Sequence, residues 1–192
     1  MQVNTSHSLL DRLKSTSSSS DWDTFVEIYR PFILSQLNRF GIAGADAEDI
    51  CQDSLTQVFK AIGGFDHNGR IGAFRNWLRT IVRQRISRYL SNPKSKNGPA
   101  ASISPDEIAI ENTLAVHWDK EHDQYVLNKL MQLISKDFTE TSWRSFHRIV
   151  IGSEDPKVVA QSMSLTLNSV MISKSRIMRR LRELGRGMID QL

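Results

Sequence analysis

Two stretches of this sequence carry residues whose types and spacing suit them to gripping a polyanion. In FRNWLRTIVRQRISRYL, arginine recurs at 75, 79 and 83, with Asn76, Thr80, Gln84 and Ser87 beside the row. A four-residue interval stacks side chains along one face of a helix. No acidic residue lies between Gly69 and Leu90. A merely solvated face usually mixes charge signs and gains i,i+4 pairs. Guanidiniums, amides and hydroxyls together are instead the donors that meet phosphates and base edges. In MSLTLNSVMISKSRIMRRLREL, the start is almost uncharged. Lys174, Arg176, Arg179, Arg180, Arg182 and, just beyond, Arg186 crowd the rest.

These residues need helices to hold them. On a wheel of residues 74–90, Phe74, Trp77, Leu78, Ile81, Val82, Ile86 and Tyr89 form an apolar side opposite the arginine row. That placement makes Trp77 a core residue. Arg85 and Arg88 fall on the apolar side and call for a second surface. In the other stretch, Leu167, Val170, Met171, Ile177, Met178, Leu181 and Leu184 make one apolar stripe. A short helix from Asp155 to Ser162, a tight turn at Met163–Leu165 and a longer helix capped by Thr166 give helix-turn-helix spacing. The uncharged start of the second helix would read bases, and the cations beyond would add a salt-dependent attraction to phosphate.

Helical periodicity runs through the remainder, without sustained period-two alternation. SLLDRLK predicts a short amphipathic helix before the serine run. DWDTFVEIYRPFILSQLNRF predicts a helix capped by Asp21 and kinked or split at Pro31. ADAEDICQDSLTQVFKAIGGF predicts another, its start resembling a capping box of Asp46 and Asp49. GGFDHNGRIGA reads as a glycine-rich loop. Residues 91–123 begin with Pro93, Pro99 and Pro105 among small polar residues, then turn acidic, with helix resuming in IAIENTLAVHWDKEHDQYVLNKLMQLI. The reading is an all-α chain of two small helical domains, 1–90 and 124–192, joined by a mobile linker over 91–123.

The 192 residues allow one domain or two small ones. A net charge of +4 is modest, so the placement of charge matters more than its sum. One cysteine, Cys51, excludes an internal disulfide and fits a reducing compartment. Inside a helix it reads as a buried thiol rather than a redox sensor. No apolar run reaches membrane-spanning length, and the first residues lack the basic and apolar blocks of a secretory signal. An intracellular, cytoplasmic protein without a membrane partner is expected. HWDKEH places His117 and Glu121 at i,i+4, but its spacing is not H-x-x-E-H and no third ligand accompanies it. No Walker A motif, nucleophile elbow or carboxylate pair appears. Neither an enzyme nor a metal or cofactor site is expected.

Taken in order, DWDTFVEIYRPFI, DAEDICQDSLTQVFKAI, FRNWLRTIVRQRI, TSWRSFHRIVI and SMSLTLNSVMISKSRIMRRLREL resemble a bacterial RNA polymerase sigma factor of the extracytoplasmic-function (ECF) branch, over nearly the whole chain. The resemblance implies that the first domain, region 2, binds the β′ clamp helices of core RNA polymerase and opens the −10 promoter element. It implies that the last, region 4, binds the β flap and reads the −35 element. AEDICQD matches the clamp-binding motif, giving Glu48, Asp49, Gln52 and Asp53 as polymerase contacts; carboxylates and an amide suit a basic coiled coil. FDHNGRIGAF corresponds to the segment that holds an unstacked −10 base. This makes Asn68, Gly69, Arg70, Ile71, Gly72 and Ala73 candidates there, alongside Arg75, Asn76, Arg79, Thr80, Arg83 and Gln84. Gln84 stands where the family usually has asparagine.

Region 4 departs further. Relatives commonly carry a basic residue, a serine and an arginine directly after the valine equivalent to Val170. Here Met171, Ile172 and Ser173 intervene before Lys174–Arg176. Asn168, Ser169, Met171, Ile172, Ser175 and Arg176 are the base-edge candidates, since thymine methyls accept apolar contacts. Lys174, Arg179 and Arg180 are the phosphate candidates. In such factors the connector runs toward the RNA exit path, so its acidity suits mimicry of nucleic acid. Many relatives are held inactive by an anti-sigma factor. A stand-alone helix-turn-helix regulator is the alternative reading, and an RNA-binding helical protein a more distant one.

Overall fold

The computed structural model describes residues 8–15, 18–68, 70–92 and 107–189. Gly69 and the proline-rich stretch 93–106 lie outside them. Among the described residues there are eight α-helices and no named strand: α1 (Leu9–Ser15), α2 (Ser19–Arg39), α3 (Gly44–Ala61), α4 (Ala73–Leu90), α5 (Glu107–Ser135), α6 (Glu140–Val150), α7 (Pro156–Ser162) and α8 (Leu167–Gly185). A 3-10 turn, Ile62–Gly64, follows α3.

Local chemistry sets most helix starts. Ser8 and Asp11 exchange side-chain and backbone bonds in a reciprocal box at the head of α1. Ser18, rather than Asp21, caps α2; its hydroxyl accepts from the Asp21 amide at 3.2 Å. Thr139, Asp155 and Thr166 cap α6, α7 and α8 in the same way. At α3 the capping-box expectation fails. The cap position is Ala43, with no side-chain bond, and Asp46 instead accepts from the Tyr89 hydroxyl at 2.7 Å. A carboxylate in the first turn of the helix meets a better donor from α4 than its own backbone offers. Pro31 does not split α2, which runs unbroken through it. Its ring is on the exposed side, so only the Glu27 carbonyl loses a partner.

The expected linker is the largest difference. Residues 107–123 form the first half of α5, and the expected boundary at 123/124 falls in mid-helix. Ile110, Leu114, Trp118, Val126, Leu130 and Ile134 are all buried along its length. Trp118 meets Phe32 edge-on at 4.8 Å, and His122 lies between Tyr29 and Phe32 of α2. One buried cluster therefore extends from Leu9, Leu10 and Leu13 through α2, α3, α4 and α5 to Ile177, Leu181 and Leu184 of α8. Each fully buried large side chain contributes about 1.5–3 kcal/mol, whereas an exposed ion pair gives about 0–1 kcal/mol. Apolar burial, not charge, holds α5 in place. A second, small cluster of Ile149, Val159, Ala160 and Val170 seats α7 against α6 and α8.

Candidate nucleic-acid interface

The turn before α4 is built from side chains that bond their own backbone. Asn68, at φ +40°, donates its amide to Asp66 Oδ1, and the Arg70 amide donates to Asn68 Oδ1. Gly72 adopts φ +73° at the head of α4. A Cβ there would sit 2.8 Å from Arg75 Nη2, so glycine serves both the left-handed backbone and the close approach of the guanidinium. The loop folds over a cavity of about 360 Å³ between itself and the start of α4. Phe65 and Trp77, 5.0 Å apart, give it an aromatic wall. Asn68, Arg70 and Asn76 bring polar groups to its edge, and Ile71 stands 72% exposed at the rim. An aromatic wall facing amide and guanidinium donors can stack a planar ring and bond its edge. Trp77 is thus half-buried and cavity-lining rather than wholly core. Phe65, Asp66 and Gly64 also line the cavity; the clustering of aromatics on both sides of the glycine-rich loop was the available signal.

Along α4, Asn76, Thr80 and Gln84 are exposed. The arginine row is not on open surface. Arg75 pairs with Asp119 at 3.3 Å and Asp123 at 3.1 Å, and Arg79 pairs with Asp119 at 2.8 Å. Their side chains are 16% and 14% exposed. Arg83 is also half-buried on that face. The sequence placed these arginines opposite the apolar arc; α5 supplies a wall they were not expected to meet. Arg85 finds the second surface its position required, pairing with Asp53 at 3.1 Å and donating to Gln57 at 3.1 Å across the α3–α4 seam.

On α3, Glu48, Asp49, Gln52 and Asp53 are all exposed. Glu48 pairs with Arg30 at 2.6 Å, so that carboxylate and Asp53 already have cationic neighbours. Glu48 and Gln52 edge a groove of about 650 Å³ between α2 and α3, with Trp22, Leu55 and Phe59 on its apolar side. Phe59 is 57% exposed and lies 4.9 Å from the Trp22 ring. Sequence reasoning gave neither aromatic a binding role, although Phe59 stands outside the buried arc of Ile50, Cys51, Ser54 and Val58. Cys51 is buried against the Arg30 carbonyl, and burial pushes its thiol up to about 11.

In the C-terminal part, Asn168, Met171, Ile172, Ser175, Arg176 and Arg179 are exposed on α8. Leu167 and Met171 leave the expected apolar stripe and join Ile172 outside, while Val170, Ile177, Leu181 and Leu184 remain within. Ser169 faces the cap, its hydroxyl donating to the Thr166 carbonyl at 2.9 Å. Lys174 is half-buried, and Arg180 pairs with Asp137 at 3.2 Å beyond the end of α5. Arg148 of α6 braces the turn into α7, holding Glu154 and the Ser162 hydroxyl. The hydrogen bond from Arg148 keeps the Glu154 carboxyl below its usual range.

A search of curated proteins finds no match to the chain. Residues 25–95, which carry most of α2 together with α3, the cavity-forming loop and α4, match the family model Sigma-70 region 2.

Proposed function

We propose that the chain is an ECF-type sigma factor. It binds core RNA polymerase, recognises the −35 and −10 promoter elements and promotes DNA melting, without itself catalysing a reaction. The observation that carries this reading is the aromatic-walled cavity beside α4 within the region 2 match. A pocket of that chemistry takes a base out of the stack, which is what opening a duplex requires. Glu48, Asp49, Gln52 and Asp53, with the groove beside them, supply the contact to the β′ clamp helices. The exposed start of α8 supplies −35 readout, and the same domain meets the β flap. The helices within 1–90 and α6–α8 within 124–192 are then the two promoter-binding parts. In this reading the protein works in the cytoplasm, and the resemblance adds an anti-sigma factor as a partner.

Run-off transcription with core RNA polymerase on the region upstream of its own gene tests the reading. A defined start site that depends on the protein is the expected result. Core polymerase that neither binds the chain nor gains start-site selection would sink it. The exposed row on α8 favours one second reading, a regulator that binds duplex DNA alone. That reading requires sequence-specific binding with no polymerase present.

A further inference from the structure

We infer that the acidic side of α5 is a built-in mask on α4: Asp119 and Asp123 occupy the arginine row where nucleic-acid phosphates would sit. This rests on the proposed role of α4 in holding promoter DNA and adds a resting state to it. Arg75 and Arg79 each direct a guanidinium at these carboxylates, at 2.8–3.3 Å. The arginines are 14–16% exposed, whereas Asp119 is 48% exposed. The cations are therefore the covered partners and the carboxylate is the outer one. A carboxylate and a phosphate each offer a guanidinium two anionic oxygens at bidentate spacing, so the two compete for one set of donors.

The mask is fixed by more than its charges. The buried row of Ile110, Leu114, Trp118 and Val126 anchors α5 to the core, and Glu121 pairs with Arg39 of α2 at 2.6 Å. His122 ties the same turn to Tyr29 at 3.3 Å and to Asp123 at 2.8 Å. A short polyanion cannot displace so many apolar contacts, and each side of the equilibrium shifts only by what binds it differently. A large partner that takes up α5 surface can displace them. The free protein thus holds its arginine row covered, and assembly opens it.

The test is binding of full-length protein to labelled oligo(dT), read by anisotropy as salt is varied. D119N removes the outer carboxylate, which pairs with Arg75 and Arg79, and leaves the buried row intact. It should bind about tenfold tighter than wild type, with a steeper dependence on salt, because phosphate contact at the uncovered row releases further counterions. D119N/R79A should return toward wild-type affinity. Affinity of D119N within about twofold of wild type at an unchanged thermal midpoint overturns the mask. Hydrogen exchange across residues 107–123 gives a second reading without substitution: binding of core polymerase and promoter should speed it, and unchanged protection in the bound state overturns the inference. If core polymerase never binds, the sigma reading fails, yet the anisotropy still decides the mask. If polymerase binds and D119N gains nothing, the mask alone fails.

Discussion

Gly72 and Asp123 show how much rests on single positions. At Gly72, a side chain must accept φ +73° beside the Arg75 guanidinium. The left-handed backbone costs a non-glycine residue about 1–2 kcal/mol, while Arg75, a flexible chain end, can move aside. Gly72→Ala is expected to lower stability by about that amount in denaturant titration and to weaken promoter opening. Gly72→Asn should lose less stability, because asparagine tolerates this conformation. At Asp123, the hydrogen bond from His122 holds the carboxyl below its usual value; burial opposes this and the His122 and Arg75 charges assist. An ionised carboxylate only accepts, so His122 Nδ1 carries the proton of that bond. A carboxyl with a depressed folded value stabilises the protein above its unfolded value and ceases to as pH falls through the folded one. Stability should decline on acidification below about pH 4. Asp123→Asn should lower stability at neutral pH and flatten that acid limb, as urea midpoints measured across pH will report.

The helices divide into those legible from neighbours in sequence and those fixed by distant partners. The short helix over 155–162, the turn at Met163–Leu165 and the cap at Thr166 are local, and the structure has them where the spacing put them, with Asp155 itself as the cap of α7. The apolar arc of α4 was equally readable, since Phe74, Leu78, Ile81, Val82 and Ile86 are all buried. What was not readable is pairing across the chain: Asp46 with Tyr89, Asp53 with Arg85, and Arg75 with Asp119. No periodicity encodes which carboxylate an arginine finds. The same limit hid the cavity wall, where Phe65 and Trp77 meet from either side of a turn. For α5, the acidic side chains suggested a solvated connector, while its apolar residues at 110, 114 and 118 recur at helical spacing. Trp118→Ala should cost about 3–5 kcal/mol, because the ring is wholly buried against Phe32. A drop in urea midpoint of less than a third of that would show α5 to be loosely held.

At the scale of the molecule, the continuous buried cluster from Leu9 to Ile189 implies a single cooperative unit. Trp22, Trp77 and Trp118 sit in the part built on α2–α5, whereas Trp143 lies on α6. Tryptophan fluorescence and far-ultraviolet circular dichroism should therefore give coincident denaturation curves. Two separated transitions would mean that the parts on either side of α5 fold independently. The one core also joins α8 to the cavity beside α4, so release of α5 would alter both proposed DNA-contacting parts together.

The Tyr29–His122 pair has a bearing on biosynthesis. The two residues are separated by 93 positions, yet each completes the other's surroundings. While the chain is being made, the inner face of α2 must wait for a helix not yet translated. A ribosome stalled shortly after residue 95 would hold a nascent domain with Tyr29 and Phe32 still wet, an obvious target for a chaperone until α5 emerges.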